Sequence, residues 1–212
     1  MTEPWSARAE LYRTSTAHSE GPDLDLVVEW ADGCRSAIDV ATGGGHVARR
    51  LREAGREVVS CDPAPGMRPD VICFAEELPF ADRSFDLAVT RVAAHHFADV
   101  AQATRELARV AGRRVVVVDN LFGGDGAEAA EKLRDPAHVR NYTEAEWRAF
   151  FAGAGLDVEE VRTFDFPIEL EPWLLRTECT GDTAARVREL LADRIDGDFV
   201  TLDRIALRGR PA

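Results

Sequence analysis

The sequence predicts an α/β fold, a mostly parallel sheet covered by helices on both faces. Three observations carry that prediction. Short apolar runs and amphipathic stretches alternate between residues 36 and 119, the rhythm of successive strand–helix–strand units. One run, Arg114–Asp119, holds four consecutive valines, the pattern of a strand buried on both sides. The run SAIDV passes through Ala41 and Thr42 into Gly43, Gly44 and Gly45, where a strand must turn abruptly into a helix.

The elements follow in order. Residues 1–22 are polar and weakly patterned. Leu24, Val27, Val28 and Ala31 have helical spacing and stop at Gly33. Ala37–Ala41 reads as a buried strand. Val47, Ala48, Leu51 and Ala54 form one helix face, with Gly55 as its C-terminal stop. Glu57–Cys61 is a second strand, Val71–Phe74 a short third and Phe85–Arg91 a fourth. Val100, Ala103, Leu107 and Val110 mark a helix ended by Gly112, and Arg114–Asp119 follows as the central strand. Thr143 and Glu146 form a capping box ahead of a face of Trp147, Phe150 and Phe151, read as core packing. Leu156–Phe166 reads as a strand, 171–195 as helix in one piece or two, and Phe199–Arg208 as the last strand. No linker divides the chain. Residues 1–212 form one domain, with 1–33 as an N-terminal cap segment and 167–196 as a substrate cover, in which Trp173 and Leu174 are the candidates for touching an apolar substrate.

Composition narrows the partners. A net charge of −12 argues against nucleic acid, which needs Lys and Arg gathered on one face. No apolar stretch reaches the ~20 residues of a membrane span, and MTEPWSARAELYR lacks the apolar middle of a signal peptide. Cys34, Cys61, Cys73 and Cys179 are scattered, without a CxxC or a metal-like grouping with histidine. Reduced thiols in a cytoplasmic protein are expected, with no metal. The expected partner is a small-molecule substrate, without nucleic acid or membrane; association as a homodimer is left open.

The glycine turn points to a ligand. Glycine lets a ligand approach the backbone, and a turn between strand and helix aims N–H groups above the sheet edge, where doubly wound sheets bind ligands. Asp39 lies on the strand before the turn and Asp62 ends the next strand, a position from which a carboxylate can accept both ribose hydroxyls. GGGHVA also fits the dinucleotide pattern G-x-G-x-x-A, but neither Tyr12 nor Tyr142 is followed by Lys at the Tyr-x-x-x-Lys distance.

A second cofactor class fits more of the chain. AIDVATGGGHVARRL, VVSCDP, AEELPFADRSFDLAVTRVAAHHF and ELARVAGRRVVVVDN together resemble the class I S-adenosylmethionine-dependent methyltransferases, in particular the small-molecule enzymes of the ubiquinone/menaquinone-biosynthesis type, across roughly residues 10–165. The resemblance implies a Rossmann-like seven-stranded, mostly parallel sheet with an antiparallel last strand, for which Phe199–Arg208 is the candidate. It implies S-adenosylmethionine as cofactor and methyl transfer to a small molecule. Carried across, Asp39 would lie near the methionine amino group. Ala41, Thr42, Gly43, Gly44 and Gly45 would line the methionine and ribose, and Asp62, beside Pro63, would hold the ribose hydroxyls. Ala75 and Glu76 would flank the adenine, and Arg91 would offer its backbone to the methionine end. Tyr12 and His18 would close over the cofactor.

Three departures stand out. The motif's usual first glycine is Ala41, whose methyl group suits a negative φ. The Asp that usually accepts from the adenine amino group is replaced by Phe74, which removes a bond worth about 1–3 kcal/mol; Phe74 is then either core, the reading taken first, or a stacking surface for the purine. Pro63, Pro65 and Pro69 exclude a full helix between Asp62 and Phe74, so a loop should border the adenine. These departures keep an alternative in play, a non-catalytic methyltransferase-like binding protein with a degenerate cofactor site. His95 and His96 follow the fourth strand, where a substrate would meet the methyl group, and imidazole suits a general base. Adjacent residues do not both point into one small site, so at most one of them is the base.

Overall fold

The computed structural model describes residues 3–212, with side chains from Trp5 onward. Three short helices lead in: α1 (Glu3–Ala7), α2 (Ala9–Arg13) and α3 (Thr16–Ser19). The polar sequence there showed no periodicity because none of them exceeds five residues. Then α4 (Pro22–Trp30) places Pro22 at its first turn, where its missing N–H costs nothing, and buries Leu24, Val27 and Trp30.

The alternation continues with β1 (Ser36–Val40), α5 (His46–Glu53), β2 (Glu57–Cys61), β3 (Phe85–Arg91), α6 (Val100–Val110) and β4 (Ala111–Asn120). After it come α7 (Asp125–Arg134), α8 (Glu144–Gly153), β5 (Leu156–Glu169), α9 (Leu170–Leu175), α10 (Gly181–Leu190), a two-residue β6 (Ile195–Asp196) and β7 (Phe199–Pro211). The sheet has seven strands, ordered β2-β1-β3-β4-β7-β5, with β6 pairing to β7. β7 runs antiparallel to both neighbours, β4 and β5; the other long pairs, β1–β2, β1–β3 and β3–β4, are parallel.

One expected strand is absent. Val71–Phe74 contributes only a single parallel bridge, Cys61 to Val71. Asp70 ends the extension before it begins: its Oδ2 accepts from both the N–H and the hydroxyl of Ser60, at 2.8 and 2.7 Å. Beyond Val71 the chain turns outward, leaving Ile72 and Phe74 exposed. The residues between Asp62 and Phe74 hold only one 3₁₀ turn, Pro65–Met67, as the prolines require.

The sheet buries both faces, each strand sending alternate residues to either side. Ile38, Val40, Ala88, Val115 and Val117 meet α6 and α8 through Leu107, Val110, Trp147 and Phe151. Ala37, Leu87, Val89, Val116 and Val118 meet α4 and α5 through Leu24, Val27, Trp30 and Leu51. The capping box at α8 is complete: Thr143 and Glu146 each bond the other's backbone N–H. A third apolar cluster joins α7, α9 and α10 to the ends of β5 and β7. Among the described residues no helix is long and apolar enough to cross a membrane.

Candidate active site

β1 pairs with β2 on one side and β3 on the other, so the chain reverses its direction of winding at the C-terminal end of β1, the place where open α/β sheets hold ligands. A cleft of about 530 Å³ opens there, within the range of small-molecule sites. Its walls include Asp39, Ala41, Thr42, Gly43, Gly44, Asp62, Pro63, Ala75, Glu76 and Arg91, together with Tyr12 and His18. Gly45 and His95 do not line it.

The three glycines have three different reasons to be there. Gly43 and Gly45 take positive φ, 50° and 78°, a region costly for a side chain. Gly44 is required by contact: a Cβ there would lie 2.7 Å from both the Tyr12 carbonyl oxygen and His46 Nε2, the pair that forms a 2.9 Å hydrogen bond from His46 to Tyr12. The turn is less bare than a ligand-gripping loop would suggest. Thr42 N–H donates to the Cys61 carbonyl (3.0 Å), Gly43 N–H to Asp62 (3.0 Å) and Gly45 N–H to the Thr42 carbonyl (2.9 Å). Among the described residues, Gly44 N–H has no protein acceptor. Ala41 departs from expectation, adopting φ 55°, so a methyl group occupies the left-handed conformation that glycine usually fills.

Asp39 is buried. Its Oδ2 accepts from Thr42 Oγ1 at 2.5 Å and Ala48 N–H at 3.0 Å, and Oδ1 has no protein donor among the described residues. Burial is the main cause of a pKa raised to about 6, against the opposing pull of those two hydrogen bonds. Asp62 spans the turn, accepting from Gly43 N–H at one oxygen and Ala64 N–H (2.9 Å) at the other; burial raises it too. Each oxygen keeps a lone pair for a further donor. Phe74 is 55% exposed and lines the cleft, so it is a rim residue and not core. Ala75 forms wall beside it, and Glu76 turns its carboxylate to Ala98 N–H (2.9 Å) at the head of α6. Arg91 commits its side chain to Asp23 (2.8 and 3.1 Å) and the His18 carbonyl (2.8 Å).

The histidine pair divides between two spaces. A second chamber, of about 40 Å³, is lined by His95, and His96 forms part of the wall of both cavities. Asp119, at the end of β4, accepts from the His95 N–H (2.7 Å) and from its Nδ1 (2.6 Å). The carboxylate cannot donate, so Nδ1 carries the proton and Nε2 faces away with its lone pair free in the neutral ring. Burial alone would hold His95 down, but the Asp119 charge and hydrogen bond override it and the net shift is upward. His96 donates from Nδ1 to the Ala137 carbonyl (3.0 Å); burial, then the charge of His95, draws it down to about 3. Trp147 and Phe151 are fully buried in the core. Trp173 is 2% exposed beneath the Arg134 guanidinium, 4.3 Å away, and Leu174 is 1% exposed within the third cluster. The apolar substrate wall expected of these two is therefore not formed: Leu174 is core, and Trp173 edges the charged chamber.

Asp23 and Asp119 escaped the sequence reading, as did α7. Their partners lie far along the chain, 68 residues from Asp23 to Arg91 and 24 from Asp119 to His95. Acids on the first turn of a helix or at a strand end have ordinary local explanations, so no local signal marks them.

Residues 38–117 match a family model described as a methyltransferase domain. The chain is 32% identical over 209 residues to the uncharacterized methyltransferase YcgJ of Bacillus subtilis (strain 168), covering 87% of this chain and 82% of that protein. The crystal structure of YcgJ superposes with a TM-score of 0.80 at 27% identity, covering 89% of this chain and 97% of that one. A putative methyltransferase of Bacillus halodurans C-125, BH2331, also gives 0.80, at 26% identity, covering 91% of this chain and 100% of that one. A demethylmenaquinone methyltransferase of Corynebacterium kroppenstedtii is 36% identical over 92 residues, covering 39% of this chain and 40% of that protein. The chain belongs to the class I S-adenosylmethionine-dependent methyltransferases.

Proposed function

We propose that the large cleft holds S-adenosylmethionine and that a small molecule entering beside His95 and His96 receives its methyl group. The observation that carries this reading is the pair of cleft-lining carboxylates, Asp39 on β1 and Asp62 after β2, flanking the glycine turn at the floor of a cleft of suitable size. The residues present fit the group. Asp39 Oδ1 and Gly44 N–H, both without a protein partner among the described residues, belong to cleft-lining residues and suit an ammonium and a carboxylate. Asp62 keeps acceptor capacity for the ribose hydroxyls. Phe74 offers a face on which a purine can stack, in place of the missing Asp. Residues 1–33 act as the cap through Trp5, Tyr12 and His18, and 167–196 act as the cover through Trp173 and Arg176.

The cofactor supplies a methyl group already activated on a sulfonium, so the protein's task is alignment and the exclusion of water. An acceptor that arrives protonated would have to give up its proton when methylated. His95 Nε2 takes it, held in the correct tautomer and stabilised as a cation by Asp119. His96 stays neutral and serves as wall between the two spaces. Calorimetry with S-adenosylhomocysteine tests the reading. The wild-type protein binds it, and Asp62→Ala weakens binding by about 1.5–3 kcal/mol, the loss of a charged hydrogen bond. Unchanged affinity in that variant would remove Asp62 from the cofactor site.

A further inference from the structure

The small chamber has a composition the methyl donor does not explain. Its volume, about 40 Å³, accommodates about three water-sized groups, the size of one polar head group and not of a whole substrate. It shares Tyr12, His18, Val92 and His96 with the large cleft, so a molecule anchored in it reaches toward the cofactor's space. Three arginines line it: Arg134, Arg176 and Arg204.

Two of the three are already answered. Arg204 donates to Asp23 at 2.9 Å, and Arg134 donates to Glu131 at 3.2 Å. The carboxylate in the chamber wall, Asp135, accepts from Ala137 N–H at 3.0 Å and lies 4.0 Å from Arg134. Arg176, half-buried just past the end of α9, has a guanidinium with no carboxylate within ion-pair distance and no hydrogen bond among the described residues; it lies over the Tyr12 ring at 6.0 Å. Burial and the facing Arg134 draw its pKa down to about 10, still fully cationic at neutral pH. A desolvated cation among like charges is costly unless an anion completes it, and a guanidinium is suited to hold a carboxylate in two parallel hydrogen bonds. Asn120, in the same wall, has a buried side-chain oxygen without a partner among the described residues.

We propose that this chamber anchors the methyl acceptor by a carboxylate group, with Arg176 as counter-ion, so that the protein's substrates are small carboxylic acids. The proposal rests on the methyltransferase reading of the large cleft, which supplies the reason for a second molecule beside it. It also explains why a protein of net charge −12 turns an uncompensated cation inward.

The test uses acetate and its neutral isostere acetamide, with inorganic phosphate as a third probe, titrated at fixed ionic strength into protein saturated with S-adenosylhomocysteine. Binding is followed by chemical shifts of the histidine and arginine side chains. Acetate should bind roughly tenfold or more tighter than acetamide, the value of a charge-assisted pair. Arg176→Gln should erase that preference and leave S-adenosylhomocysteine affinity within about twofold, because Arg176 does not itself line the large cleft. Arg176→Lys should retain part of the preference, which separates loss of charge from loss of fold. Equal binding of acetate and acetamide to the wild type, absence of acetate binding, a preference surviving in Arg176→Gln, or phosphate displacing acetate as the tighter ligand would each overturn the proposal. If S-adenosylhomocysteine itself fails to bind, the reading of the large cleft fails; the acetate–acetamide comparison, repeated without it, still decides the chamber.

Discussion

Ala41 and Val92 both sit at φ 55°, and both line the large cleft. For a β-branched residue that conformation is a clear outlier, and a 2.7 Å hydrogen bond from Val92 N–H to the Val118 carbonyl holds it in place. Backbone strain of this kind persists where the surroundings over-determine it, commonly at ligand sites. Ala41 offers the cleaner measurement. Glycine there relieves about 1–2 kcal/mol of left-handed strain and gives back roughly 0.5–1 kcal/mol in unfolded-chain entropy. Ala41→Gly should therefore raise stability by about 0.5–1 kcal/mol, read as a higher urea midpoint at constant m. A lower midpoint would mean that the methyl group packs usefully against the core it touches. His95 gives a second prediction at this scale. The groups around it are Asp119, Glu131 and Arg134, with the His96 and His138 rings at 4.1 and 5.4 Å. Its pKa lies above 6.5, and a base works only when deprotonated, so kcat/KM should climb with pH through that raised value. Asp119→Asn should move the midpoint down and lower the rate by about 10²–10⁴; a profile flat across neutral pH would exclude His95 as the base. The linkage for stability has the opposite sense: the contribution of His95 is complete below 6.5 and fades as pH rises through the folded value.

At the scale of elements, one carboxylate fastens three of them. Asp23 on α4 takes Arg91 from β3 through two bonds and Arg204 from β7 through a third, all three side chains being nearly inaccessible. Removing one partner from such a group leaves buried charge uncompensated, at a cost of about 3–5 kcal/mol. Asp23→Asn should lose stability on that scale, measured by denaturant unfolding, where a surface acid would lose almost nothing. Burial alone would raise the Asp23 pKa, but Arg204 and then Arg91 override it and the net shift is downward. Its stabilisation is therefore complete above the ordinary value of 3.8 and disappears as pH falls through the lower folded value. This fastening marks the limit of what the sequence reveals. The strands of SAIDV and the valine run, the amphipathic faces of α5 and α6 and the capping box of α8 were legible because their causes are local: alternation, spacing and a side chain three residues from its partner. The ends of β1 and β2, with Asp39 and Asp62 brought to one turn, were legible through a motif. The Asp23 cluster, separated from Arg204 by 181 residues, had no such cause. Nor did the loss of the strand at 71–74, which depends on where Asp70 finds Ser60, or the partition of His95 and His96 into different cavities.

The whole molecule is a rigid sheet with a lightly attached roof. The sheet's two faces are held by extensive apolar clusters, whereas α1–α3 rest on a small cluster of Ala9, Ala64 and Met67 with Trp5 and Tyr12 against it, on Ala17 at the edge of the third cluster, and on a few polar ties. Those ties include Gly66 N–H to Ser6 Oγ (3.1 Å), Arg13 to the Gly66 carbonyl (3.0 Å), His46 to the Tyr12 carbonyl (2.9 Å), Arg91 to the His18 carbonyl (2.8 Å) and Arg8 to Glu178 (3.0 Å). Segments with few buried apolar contacts open at low free energy, well below global unfolding. Trp5, Tyr12 and His18 line the cleft from this roof, so on the proposed reading opening of the roof forfeits their contacts with a bound ligand. S-adenosylhomocysteine at about 100 times its Kd should then suppress roof opening by roughly 2.7 kcal/mol, near a hundredfold in amide exchange across residues 5–20. Local openings of α10 leave the cleft intact, because its buried residues Ala184 and Val187 belong to the separate cluster with α7 and α9, and its exchange should be unchanged. Equal protection of both segments would indicate that the ligand stabilises only against global unfolding. No protection of residues 5–20 in a saturated complex would show that these helices are not the closing element of the cleft.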